Sequence, residues 1–164
     1  MTPETRDLRA ALVGTWHLRS WTATADDGVE HPMGDPAEGV LVYTADGTMI
    51  TTIGRAGRPP IDGDDMLRGP DDQRLAAFTS FIAYSGTWHV DGEDVVHDVT
   101  MSLFPNWIGT SQRRHVVLDD PGRSLELSTD PMLLRGRRSI QRLRWERVAS
   151  PTTEPGGWRG DEAP

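Results

Sequence analysis

VLVYTADGTMITTIG, residues 40–54, contains two alternating runs rich in β-branched residues, joined by Asp46-Gly47. An Asp-Gly pair suits the positive φ angles of a two-residue turn, and period-two side chains mark strands with one buried face. The stretch therefore reads as a β-hairpin, and the same period recurs on both sides of it. Upstream, GTWHLRSWTATADDG (14–28) places Trp16, Leu18, Ser20 and Thr22 on one face and ends at Asp27-Gly28. Downstream, GTWHV (86–90) turns at Asp91-Gly92 into DVVHDVTMSLF (94–104), followed by GTSQRRHVVLD (109–119), SLELST (124–129) and SIQRLRWERV (139–148). About eight strands without a strand–helix–strand rhythm, built as hairpins that must cover their own edges, predict an all-β fold closed into an antiparallel barrel.

Two helices interrupt this pattern. TRDLRAALV (5–13) carries Leu8, Ala11 and Leu12 at helical spacing, which predicts a short N-terminal helix. QRLAAFTSFIAY (73–84) repeats Leu75, Phe78, Phe81 and Ile82 at three- and four-residue intervals behind a capping Asp71 or Asp72. The polar connection before it, residues 54–72, is longer than a simple link requires and reads as a flap. HPMGDPAEG (31–39) is expected to cross an open end of the barrel. Residues 1–149 read as a single domain, and the Pro-, Gly- and charge-rich residues 150–164 as a flexible tail.

Composition narrows the chemistry. The 164 residues carry a net charge of −8, and the positive charges are dispersed, which argues against a nucleic-acid surface. The densest basic group, Arg135, Arg137 and Arg138 around Gly136, reads as a solvated turn. The chain has no lysine, which excludes Schiff-base chemistry, and no cysteine, which excludes disulfides and thiolate sites. No apolar run is long enough to span a bilayer as a helix, and the N-terminus lacks the pattern of a secretory signal. A cytoplasmic monomer or homodimer without membrane or nucleic-acid partners is expected. None of the five histidines forms an HxH or HxxxH pair, so no metal site is expected.

The order of landmarks carries more information than any one of them. LVGTW, EGVLVYTADGTM, YSGTW, HDVTMSLFPNWIG, LELST and RLRWERV follow one another from about Leu12 to Val148. This succession resembles the bacterial and fungal lipocalin-like domain family of calycin-type barrels. Gly14-Thr15-Trp16 is similar to the GxW signature of such barrels, with Arg147 on the last strand as the arginine that covers the tryptophan. The resemblance implies an eight-stranded barrel around a small-molecule cavity. It also implies kinship with natural-product cyclases and isomerases, although a fold alone fixes no reaction.

Within the strand 94–104, His97 shares a face with Val95, Val99, Met101 and Leu103, and is the only titratable member of that row. A tight turn between Asn106 and Trp107 would place His97 opposite Val116 and Val99 opposite Arg114. His97 and Arg114 are then diagonal neighbours facing the lumen. In that arrangement His97 suits a general acid or base and Arg114 the holder of a carboxylate or enolate oxygen, with Tyr43 as a partner donor. The bland alternative is a histidine satisfied by neighbouring hydroxyls and an arginine reaching a rim carboxylate. Tyr84, Thr51 and Ser20 interrupt rows that should line the interior, Val99 and Met101 flank His97, and Trp107 sits at a barrel mouth; these are the candidate ligand contacts. Trp16 and Trp145 read as the barrel floor. The expected ligand is a hydrophobic small molecule with one polar or anionic group. It is either converted without a cofactor, by isomerisation, dehydration or cyclisation of a polyketide-like or terpenoid-like intermediate, or carried unchanged.

Overall fold

A computed structural model of the chain describes residues 7–119 and 121–149. The expected C-terminal tail lies outside the described residues. Helix α1 (Leu8–Leu12) starts where the Asp7 carboxylate accepts from the N–H groups of Arg9 and Ala10. Ten strands follow: β1 (Gly14–Ala25), β2 (Gly28–Glu30), β3 (Ala37–Tyr43), β4 (Thr48–Arg55), β5 (Phe81–Asp91), β6 (Asp94–Ser102), β7 (Ser111–Leu118), β8 (Ser124–Ser128), β9 (Met132–Leu134) and β10 (Arg137–Arg147). Helix α2 (Asp71–Thr79) lies between β4 and β5.

The order β1-β3-β4-β5-β6-β7-β8-β10, with β10 pairing back onto β1, closes an antiparallel eight-stranded barrel. The expected hairpin is present as β3 and β4, with Gly47 at φ 94°. Short β2 and β9 extend β1 and β10 beyond the ring. Arg137 anchors this corner through Asp27 and Glu30, at the turn that the basic cluster around Gly136 marks in the sequence.

Two β-bulges set which residues face inward. In β1, Leu18 pairs with Trp145 but Ser20 with Arg144, so Arg19 is the extra residue and the phase reverses. Trp21 (5% exposed) thereby takes the interior place expected for Ser20, which is half-buried and away from the cavity wall. In β6, Gly86 pairs with Val99 but Ser85 with Met101, leaving Thr100 unpaired. Val99 stays in the core at 2% exposed, whereas Met101 turns outward at 70%, contrary to the unbroken alternation read from the sequence.

The β6–β7 register also differs from that of a tight turn: Gln112, not Val116, faces His97, and Arg114 faces Val95. Residues 103–110 form a wider connection with a short 3-10 turn at Pro105–Trp107, anchored by Val99 N–H on Thr110 O and Gly109 N–H on Val99 O (both 2.9 Å). The displacement is even, so every side chain keeps its face and His97 and Arg114 remain diagonal neighbours.

One end of the barrel is packed solid. Leu12, Trp16, Met49, Val95 and Leu125 are wholly buried there. Arg147 lies 4.0 Å over the Trp16 ring and donates to the carbonyl oxygens of Val13 (2.8 Å), Gly122 (2.9 Å) and Ala11. This is the arginine cover that the resemblance implied. Gly14 must be glycine here, because its φ is 139° and a Cβ would meet the Arg147 guanidinium at 2.6 Å.

The other end is open. Helix α2 stops at Thr79, a turn earlier than the apolar spacing suggests, and Phe81 and Ile82 begin β5 instead. No side-chain hydrogen bond caps it, since Pro70 holds the N-cap position, and Leu75 and Phe78 are exposed. The helical spacing of 75, 78, 81 and 82 thus joins two elements. Residues 57–61 and α2 lie at the cavity mouth, and Pro32 and Met33 border it before the strand that Ala37 opens.

Candidate functional site

The open half of the barrel encloses a cavity of about 860 Å³. Its wall is mostly apolar and aromatic, as in small-molecule sites. Leu41, Ile53, Leu127, Leu143 and Trp145 come from the strands, Trp107 from the β6–β7 connection, and Pro59, Ile61 and Phe78 from the flap and α2.

His97 sits where this cavity meets the packed end, 1% exposed, and is held from both sides. The Tyr43 hydroxyl lies 2.6 Å from Nε2 and the Tyr84 hydroxyl 2.9 Å from Nδ1. The three side chains come from the end of β3 and from the adjacent strands β5 and β6, which β4 separates from β3 in the barrel wall, and the phenol rings tilt against the imidazole at 5.5 and 5.9 Å between centroids. Trp88 closes the cluster 4.6 Å from Tyr43, and Trp107 meets Tyr84 edge-on at 5.5 Å.

The electrostatics follow from this burial. Desolvation, reinforced by the positive charge of Arg114, holds the His97 pKa well below the ordinary histidine range, so the ring is neutral. Burial pushes Tyr43 far up, with the Tyr84 phenol adding to the effect and Arg114 opposing it. Tyr84 is also raised by burial and partly lowered by the positive charge of Arg114. All three groups are uncharged near neutral pH.

The nine residues singled out in the sequence separate clearly. His97, Tyr84, Thr51, Trp107 and Arg114 line the cavity. Tyr43 is sealed behind His97 and reaches the cavity only through it. Val99 packs in the core beneath the wall, whereas Ser20 and Met101 leave the interior face at the two bulges. Among the described residues no cluster of three or more metal-ligating side chains occurs.

A second polar group was not anticipated. Trp21 Nε1–H donates to Gln141 Oε1 (2.8 Å), and Gln141 Nε2 donates to Ser139 Oγ (2.7 Å), while Thr129 Oγ1 accepts from the Gln141 N–H (3.1 Å). Gln141 shares an interior row with Leu143 and Trp145, and its polarity within that row was the available signal. Two buried polar atoms in the wall, Thr51 Oγ1 and Trp145 Nε1, have no hydrogen-bond partner among the described residues. Thr51 stands directly opposite Tyr84 in the β4–β5 ladder.

The family model described as "Lipocalin-like domain" matches residues 13–148. The chain belongs to this lipocalin-like domain family. It is 35% identical over 109 residues to the 4'-hydroxy-3'-methoxypropiophenone carrier protein ppsC of Aspergillus oryzae, a match covering 61% of this chain and 96% of that protein. Among solved structures, an uncharacterized protein from Bacteroides eggerthii aligns with a TM-score of 0.40 at 12% identity, over 84% of this chain and 99% of its own. A mutant of the fluorescent protein UnaG aligns at 0.34 and 16%, over 83% and 95%. Among the described residues no helix is long and apolar enough to cross a membrane.

Proposed function

We propose that the barrel binds a hydrophobic small molecule bearing an oxygen function and holds it as a carrier. One observation carries this reading: a cavity of about 860 Å³ with mostly apolar walls has a neutral, hydrogen-bonded Tyr43–His97–Tyr84 chain at its inner end, flanked by Arg114. Apolar walls provide affinity, and a few fixed polar groups provide orientation. The resemblance to a carrier protein named for a substituted aryl ketone supports a ligand with an aromatic body and a carbonyl.

Catalysis is the second reading, favoured by the neutral imidazole beside a cationic guanidinium, the pairing that isomerisation, dehydration or cyclisation would use. Against it, both ring nitrogens of His97 are already engaged, so no lone pair is directed at a substrate proton. A proton would have to pass through Tyr84, whose raised pKa makes it a donor rather than a base.

The experiment is ligand capture. Wild type and His97→Phe, both checked for folding by circular dichroism, are incubated with aryl ketones and with a metabolite extract, washed and analysed by mass spectrometry. A carrier retains an unchanged compound, and an enzyme releases a product whose formation stops in His97→Phe. If wild type retains nothing and converts nothing, the cavity is not a binding site.

A further inference from the structure

We infer that Tyr43 fixes His97 as its Nδ1–H tautomer, which leaves the Tyr84 hydroxyl hydrogen free as a donor into the cavity, so that the inner end of the site selects ligands by a carbonyl-type acceptor oxygen. The inference rests on the ligand-binding reading and extends it to the chemistry of the recognised group.

A neutral imidazole offers one N–H and one lone pair. Of the two phenols on His97, one therefore gives a hydrogen and the other receives one. If Nε2–H donated to Tyr43, the Tyr43 hydrogen would be stranded. Tyr43 is 1% exposed and stands off the cavity wall, and its hydroxyl has no other hydrogen-bond partner among the described residues. A buried donor without a partner is the costly arrangement. If Tyr43 instead donates to Nε2, its hydrogen is used, Nδ1–H donates to Tyr84, and the one uncommitted hydrogen is on Tyr84, in the cavity wall.

The distances point the same way. The Tyr43 contact at 2.6 Å has the length of a hydroxyl-donated bond, and the Tyr84 contact at 2.9 Å that of an N–H donated to oxygen. Arg114 lines the same cavity, and its positive charge favours an electron-rich oxygen beside Tyr84. Tyr84 then offers its own hydrogen to a ligand, a donor strengthened by the Nδ1–H and Tyr43 hydroxyl donors behind it. The complementary group is a ketone, ester or enolate oxygen. Ammonium groups are opposed by the charge of Arg114.

Two measurements test this. Two-bond ¹H–¹⁵N correlation spectra of the ligand-free wild type near neutral pH report the tautomer directly: Nδ1 is expected to be protonated and Nε2 bare. A wild-type Nε2–H tautomer overturns the inference. The second measurement is calorimetric titration with para-methoxyacetophenone and with para-isopropenylanisole, in which a methylene replaces the carbonyl oxygen. The ketone is expected to bind about tenfold more tightly to wild type, and Tyr84→Phe to lose that preference while still binding the alkene isostere. Equal wild-type affinities, or a preference that survives in Tyr84→Phe, overturn the selection. Binding of neither probe overturns the carrier reading for aryl ketones and the selection with it. The tautomer result stands apart from this, because it needs no ligand.

Discussion

A histidine with 1% of its surface exposed persists in a valine row only if both ring nitrogens find partners, and Tyr43 and Tyr84 supply them. Its neutrality has a thermodynamic consequence. An unfolded chain takes up a proton at this position below the ordinary histidine pKa of about 6.5, whereas the folded chain resists protonation until lower pH. The stabilisation is therefore complete above about pH 6.5 and is lost as pH falls toward the folded pKa, by at most about 1.4 kcal/mol per pH unit. His115 works in the opposite sense, its pKa raised by Asp130 and Asp94, but it is largely exposed and well screened. Urea unfolding at pH 7 and pH 5 should show a steeper loss of stability in wild type than in His97→Phe; parallel losses would mean that His97 charges freely in the fold. The sequence made this residue conspicuous because period two placed it on the interior face. It did not reveal that Tyr84 would join, since that partnership depends on where β5 lies against β6.

The same dependence appears at the level of elements. Strand existence, the Asp46-Gly47 turn and most faces were legible, because alternation and turn chemistry are local. The two bulges were not. A single extra residue, Arg19 or Thr100, leaves composition unchanged and reverses everything beyond it, which is why Ser20 and Met101 left the interior and Trp21 entered it. Gly86 marks the second bulge in retrospect. A Cβ there would fall on the Asp98 carbonyl oxygen, backbone that cannot rotate away. Gly86→Ala should accordingly cost about 3 kcal/mol or more in chemical denaturation. A loss below about 1 kcal/mol would show that β6 shifts easily. Helix α2 misled for a related reason: its apolar residues recur at helical spacing but have no core to face, so Leu75 and Phe78 stay exposed at the mouth.

Across the whole molecule, stability and binding are divided between the two ends of one barrel. The packed end is closed by Arg147, which covers Trp16 and satisfies three main-chain carbonyls from the α1–β1 junction and the β7–β8 turn. Arg147→Ala should lower stability by about 2–4 kcal/mol while leaving ligand affinity at the distant cavity largely intact. Calorimetric titration together with urea unfolding would check both halves, and a matching loss of affinity would mean that the ends are not separable. The landmark order in the sequence foretold this closed end well, because its contacts are between neighbouring strands. The size of the cavity was not legible, since a void depends on what the bulged strands leave unfilled. Three of the chain's six tryptophans, Trp21, Trp107 and Trp145, line that void. A conjugated carbonyl compound entering it would lie within van der Waals range of indole rings, whose emission responds to what surrounds them. The protein thus contains its own optical reporter, and occupancy should be readable as a change in intrinsic emission without any label.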